Sequence, residues 1–192
     1  METKRSDKAP ATFRFSGGTR GVWRVVRSDV LRGEPLAPCE RISIEPDIGA
    51  EPAPDTLWEL RGFVSNTRYA TRAESSRLNA VQEGLGRPPA TCGALIPLRK
   101  NAAWWNLAQD ERRAIFEEVS QHTQIGMAYL PAIARRLYHS RDLGEAFDFL
   151  TWFEFAPEHA PAFDALVARL RATNEWTYID REIDIRVVRA AE

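Results

Sequence analysis

Residues capable of chemistry crowd into the stretch 122–139, HTQIGMAYLPAIARRLYH. A polar–apolar helical pattern, DERRAIFEEVSQ, runs into His122, and Gly126 and Pro131 then interrupt that helix, so the next residues read as a strand. Side chains alternate along a strand, which puts Ile133, Arg135, Leu137 and His139 on one face and Ala134, Arg136 and Tyr138 on the other. In general an imidazole serves as a metal ligand or acid–base group, and a guanidinium as a cation that does not deprotonate. A histidine at a helix end and an arginine on an apolar strand face can converge on one cavity. The same residues also fit a surface histidine beside two solvated arginines, and the pattern alone does not choose between them. Of the other histidines, His139 reads as a hydrogen-bonded strand-end residue and His159, within APEHAPA, as a surface residue at a helix start.

The elements that must position these residues are set by periodicity. TCGALIPLRK is apolar enough to be a central strand, and Asn106 to Gln121 reads as one helix with Leu107, Ile115 and Val119 among its inward positions. AIARRLYHS and FDFLTWFEF are strands joined by a turn at Gly144. PAFDALVARLRA is amphipathic, with Phe163, Leu166, Val167 and Leu170 on one side, and TYIDREIDIRVVR alternates as a final strand. The order strand, helix, strand, strand, helix, strand is a ferredoxin-like unit. One face of its antiparallel sheet then needs cover. In the first half, FRFSGG and GVWRVVRSDVL read as strands about a turn at Gly17-Gly18, RISIE as a short strand and TLWELRGFVS as a half-buried one. Residues 33–56 carry five of the twelve prolines and read as mostly irregular. A helix opening at Thr71 or Arg72 and ending before Gly86 closes that half. The expectation is an α+β fold: a ferredoxin-like α/β barrel of two related βαβ-type halves, residues 12–90 (shortened) and 91–192, after a disordered lead at 1–11.

Composition narrows the function classes. A chain of 192 residues can bury about 70% of its unfolded surface and needs neither disulfides nor a structural metal. Its formal charge of −1 argues against a general nucleic-acid binder. Cys39 and Cys92 lack CxxC spacing and read as reduced thiols. METKRSDKAPATFRF has no apolar run typical of a secretory signal, and no stretch approaches the roughly 20 apolar residues of a membrane span, so a soluble, cytoplasmic protein is expected.

His122, Tyr129, Pro131 and Arg135, followed by RLYHS, together resemble the heme-binding core of the chlorite dismutase family. The resemblance runs through KNAAWWNLAQDERR upstream, and FDFLTWFE and NEW downstream; it spans roughly residues 60 to 190 and is strongest from Lys100 to Glu175. It implies a heme b enzyme converting chlorite to chloride and molecular oxygen. His122 would be the proximal iron ligand, with Glu175 on its other ring nitrogen and Lys100 paired to that carboxylate. Tyr69 and the Trp104 indole would hold heme propionates, and Trp105 would pack beneath the macrocycle. Arg135 would be the distal cation that attracts chlorite and retains the hypochlorite fragment, with Leu137, Thr151 and Phe153 as a dry distal wall. Each residue has a plainer reading too: Lys100 and Glu175 as solvated charges, the tryptophans as a buried helix-start staple, Tyr69 as a strand-edge anchor.

The shortened first half resembles the family's short, dimeric branch, and a homodimer is also expected because that half looks too broken to cover a sheet unaided. The alternatives are a coproheme decarboxylase-like enzyme, whose relatives lack an arginine at the distal position, and a non-enzymatic heme-binding dimer.

Overall fold

The computed structural model describes residues 11–64, 81 and 84–190. Tyr69 and the opening of the helix expected from Thr71 or Arg72 lie outside them. Among the described residues the strands are β1 (Thr12–Gly18), β2 (Trp23–Arg32), β3 (Arg41–Pro46), β4 (Trp58–Phe63), β5 (Cys92–Lys100), β6 (Ala134–His139), β7 (Phe149–Phe155) and β8 (Ile179–Arg189). They close into one barrel in the order β1-β3-β2-β8-β5-β7-β6-β4, every neighbouring pair antiparallel. Each consecutive set of four strands is laid out fourth, first, third, second.

Strand alternation sorts the side chains into two cores. Ile183, Ile185 and Val187 of β8 point inward to meet Phe15, Ile42, Leu60, Tyr138 and Trp152 inside the barrel. Ala94, Ile96, Leu98 and Phe153 point outward from β5 and β7 and pack under Phe163, Leu166, Val167 and Leu170 of a helix at Ala160–Arg171. The amphipathic face read from the sequence is the buried one. The cover for the C-terminal sheet's other face comes from β1–β4 of the same chain, so the lack of cover does not argue for a partner. Cys39 and Cys92 are both free.

Gly17-Gly18 is not a turn. Both residues lie at the end of β1, paired across to Ile42 and Arg41 of β3. A Cβ on Gly17 would come within 2.1–2.5 Å of the Trp58 indole. Here glycine supplies room for a crossing ring rather than a change of direction.

The outward polar face of β8 is neutralised under the helix end. Arg171 reaches Glu182 at 2.7 Å and Asp184 at 2.9 Å, and Arg186 adds a second cation against Asp184. Burial pushes the Asp184 carboxyl up, but the hydrogen bonds and charges of Arg186 and Arg171 outweigh it and hold it below its ordinary value. A depressed folded value contributes stability above the unfolded carboxylate range, and that stability fades as pH falls below about 4. Asp184→Asn should therefore lower the thermal midpoint at neutral pH and flatten its decline in acid, as melting followed from pH 7 to pH 3 would show.

Candidate functional site

Three short helices connect β5 to β6: α1 (Ala102–Asn106), α2 (Gln109–Arg113, continued as a π-helical run Ala114–Val119) and α3 (His122–Met127). The single helix expected from Asn106 to Gln121 is thus divided. In the π run the Ser120 amide donates to the Ile115 carbonyl five residues back, 3.0 Å. The wider turn changes the rotation between successive residues, so Val119, expected inward, is 63% exposed. Gln121 then adopts a left-handed conformation, φ 50°, and His122 begins a new helix instead of ending the old one. Glu117 satisfies that helix start, its carboxylate accepting from the Thr123 amide at 3.3 Å and from the Thr123 hydroxyl. The helix from Ala160 to Arg171 is α4 in chain order.

Behind His122 stands a buried charge relay. Glu175 Oε2 lies 2.7 Å from His122 Nδ1, and Lys100 Nζ donates to Glu175 Oε1 at 2.6 Å. Glu175 is carried by a 3₁₀ turn, Asn174–Tyr178, and its own amide donates to Ser120 Oγ at 3.0 Å. Burial alone would raise the Glu175 carboxyl; the charges of His122 and Lys100 and their hydrogen bonds outweigh it and hold the group down at about 2. Burial also lowers the Lys100 ammonium, with Glu175 pulling the other way. An ionised Glu175 accepts from Nδ1–H, which leaves Nε2 as the ring nitrogen away from the carboxylate. The Phe116 ring lies nearly parallel to the imidazole, centroids 4.3 Å apart.

His122 lines a cavity enclosing about 400 Å³, counted out to its open mouth, on the outer face of the C-terminal strands. Arg135, Thr151, Phe153, Trp176 and Glu182 line it too, with Ile96, Leu98, Val167 and Leu170 as apolar walls. Arg135 pairs across to Phe153, and Leu137 to Thr151, so the strand face read from the alternation is the one that meets this cavity. A Cβ on Gly126 would fall 2.8–3.2 Å from the Arg135 guanidinium. Gly126 is therefore not a helix stop: it sits inside α3, one turn beyond His122, and makes a flat seat for the arginine. Burial lowers the Arg135 guanidinium from its ordinary value, and Glu117 opposes that shift.

The structure thus brings together His122, Lys100, Glu175, Arg135, Thr151 and Phe153. Leu137 sits beside Thr151 but is 37% exposed. Trp104 is buried, with the Lys100 ammonium 4.0 Å from its ring centroid and Tyr178 edge-on at 5.4 Å. Trp105 donates its indole N–H to Asp148 at 3.2 Å and carries Arg141 over its ring at 3.9 Å. Neither tryptophan is among the cavity-lining residues. Sequence reasoning missed Trp176, Glu182 and Arg171 in the lining, and Ser120 and Phe116 beside the relay. The alternating charges of REIDIR were the available signal for Glu182, since a polar strand face beneath an amphipathic helix needs partners. His139 is buried between Phe63 and Phe149, centroids 5.8 and 5.6 Å away, and is not among the cavity-lining residues.

An eight-stranded antiparallel barrel with a carboxylate-backed histidine and an arginine lining one outer-face cavity is the class of protein in hand. A family model described as chlorite dismutase matches residues 55–190, and the chain belongs to the chlorite dismutase family. A crystal structure of a dimeric chlorite dismutase from Nitrobacter winogradskyi is 54% identical, with a TM-score of 0.88 over 93% of this chain and 99% of that one. A mutant chlorite dismutase from Candidatus Nitrospira defluvii, solved in complex with cyanide, shares the fold: 20% identity, TM-score 0.68, covering 96% and 92% of the two chains. A curated chlorite dismutase from Ideonella dechloratans is 32% identical over 127 residues, a match that takes in 65% of this chain but only 42% of that protein. The chain thus matches less than half the length of that curated relative. Among the described residues no helix is long and apolar enough to cross a membrane.

Proposed function

We propose that the chain is a heme b dependent chlorite O2-lyase, converting chlorite to chloride and molecular oxygen. The observation that carries this reading is that His122, backed by Glu175 and Lys100, lines the same largely apolar cavity as Arg135. A single imidazole suits a metal that arrives with its other ligands, as porphyrin iron does. The family is heme-dependent. Bound heme would supply the iron redox chemistry that opens the chlorine–oxygen bond.

The chain's residues do the rest. His122 offers Nε2 to the iron, Glu175 holds the Nδ1 proton and strengthens that donation, and Lys100 fixes Glu175 in place. Arg135 attracts chlorite and then retains hypochlorite, the fragment left after one chlorine–oxygen bond breaks, until the second oxygen is joined to the first. Ile96, Leu98 and Phe153 keep competing water out. Tyr69, Trp104, Trp105, Leu137 and Thr151 are assigned to heme contacts on the family resemblance.

The two strand quartets, with matching orders, are read as ferredoxin-like halves, 12–90 and 91–192. A homodimer is proposed from the dimeric Nitrobacter winogradskyi relative and from the exposed Val26, Val30 and Leu31 on β2.

Reconstituting the chain with heme, adding chlorite and following dissolved oxygen tests the reading. Oxygen evolution is expected. A heme-loaded protein that evolves none would favour a carrier or a decarboxylase-like enzyme, although Arg135 argues against the latter, and no heme uptake at all would favour an empty module. Glu175→Ala should raise the iron reduction potential and weaken heme retention by roughly 10–100-fold, the usual cost of losing a ligand's outer partner. Spectroelectrochemical titration and heme transfer to an apoglobin measure both.

A further inference from the structure

Glu182 is an acid where a cavity that takes up anions should disfavour one. It is 1% exposed and lines the cavity, yet both its oxygens are engaged. Oε1 accepts from Arg171 Nε at 2.7 Å and Oε2 from the Trp176 indole N–H at 2.8 Å. Trp176 is 6% exposed, and its ring lies 19° from the plane of the His122 imidazole, centroids 6.3 Å apart. Trp176 directly succeeds Glu175 in the 3₁₀ turn, so neighbouring residues meet the same imidazole, one by a hydrogen bond and one by a ring plane. The indole N–H has a charged acceptor, a stronger tether than a neutral one. Trp152 in the barrel core also has a charged acceptor, Glu154 at 2.9 Å, so what sets Trp176 apart is its ring plane beside His122.

We propose that Glu182 is a positioning residue for the iron-ligand side of the cavity: through the Trp176 indole it fixes the ring plane beside His122, and its carboxylate offsets the Arg171 cation that also lines the cavity. This rests on His122 being the ligand of bound heme. Removing the charge should make ferric iron harder to hold and raise the reduction potential. Freeing the indole should loosen the imidazole and change the iron–histidine bond.

The test compares heme-reconstituted wild type with Glu182→Gln, Trp176→Phe and the double variant. It reads reduction potential, the iron–histidine stretch of the ferrous form, heme loss, and the thermal midpoint of the chain without heme. Glu182→Gln should raise the potential; both single variants should shift the stretch and lose heme about tenfold faster. The double variant should shift the stretch little more than the larger single change, because the two act through one contact. Midpoints that fall while potential and stretch stay put would mean a purely structural role and overturn the proposal, as would fully additive stretch shifts. Should Glu182→Gln fail to fold, the stretch in Trp176→Phe decides alone. A wild type with no histidine-ligated spectrum overturns the heme reading and this proposal together. A normal wild-type spectrum with unmoved variants overturns this proposal only.

Discussion

Arg135→Ala is expected to bind heme about as well as wild type and to fail in handling chlorite. The change removes none of the hydrogen bonds that hold His122, Glu175 and Lys100 to one another. Anion affinity should fall by about ten- to a hundredfold, the equivalent of roughly 1.5–3 kcal/mol for a hydrogen bond to a charged group. The second effect comes after the chlorine–oxygen bond opens. Without the cation, hypochlorite leaves before its partner oxygen can be joined, so oxygen yield per chlorite drops, a chlorination scavenger traps more product, and heme bleaches within fewer turnovers. Arg135→Lys should recover some anion attraction but not the planar fork that lies flat on Gly126. Arg136→Ala is the control, because Arg136 projects to the other face of β6 and is exposed. Wild-type oxygen yield and scavenger trapping in Arg135→Ala would remove the arginine from the reaction.

His122→Ala should cost more in heme retention than the roughly 10–100-fold expected for loss of an outer partner, because it removes the proposed iron ligand itself. It also leaves Glu175 facing Lys100 alone, with its Oε2 oxygen no longer hydrogen-bonded to a ring nitrogen. Heme transfer kinetics and the ferric spectrum measure the loss, and circular dichroism checks that the barrel is intact. His139→Ala serves as comparison, since His139 is packed between two phenylalanines away from the cavity lining. A five-coordinate histidine spectrum that survives in His122→Ala and disappears in His139→Ala would move the ligand assignment.

Local pattern was enough to place all eight strands, the amphipathic α4 and the face of β6 that carries Arg135, whereas Lys100, His122 and Glu175 are singled out together by the family resemblance. Those features are written in alternation and motif, which need no knowledge of what lies opposite. The break at Gln121 was not legible, because no glycine or proline marks it and helical periodicity assumes a constant turn that the π run at Ala114–Val119 does not keep. Nor could the pattern show that Gly17 makes room for Trp58, or Gly126 for Arg135: in both cases the glycine is crowded by a side chain from a different element. The pairing of Lys100 with Glu175, 75 residues apart, is implied by the family resemblance, but the tertiary structure alone joined Trp176 to Glu182 beneath the end of α4. A barrel of two halves is expected from the sequence, but the structure decided that β1–β4 suffice to cover, within one chain, the face that the second half leaves bare. Pairing of β2 with β8 and of β4 with β1 depends on which apolar faces can be buried together, and that is decided only when the whole barrel forms.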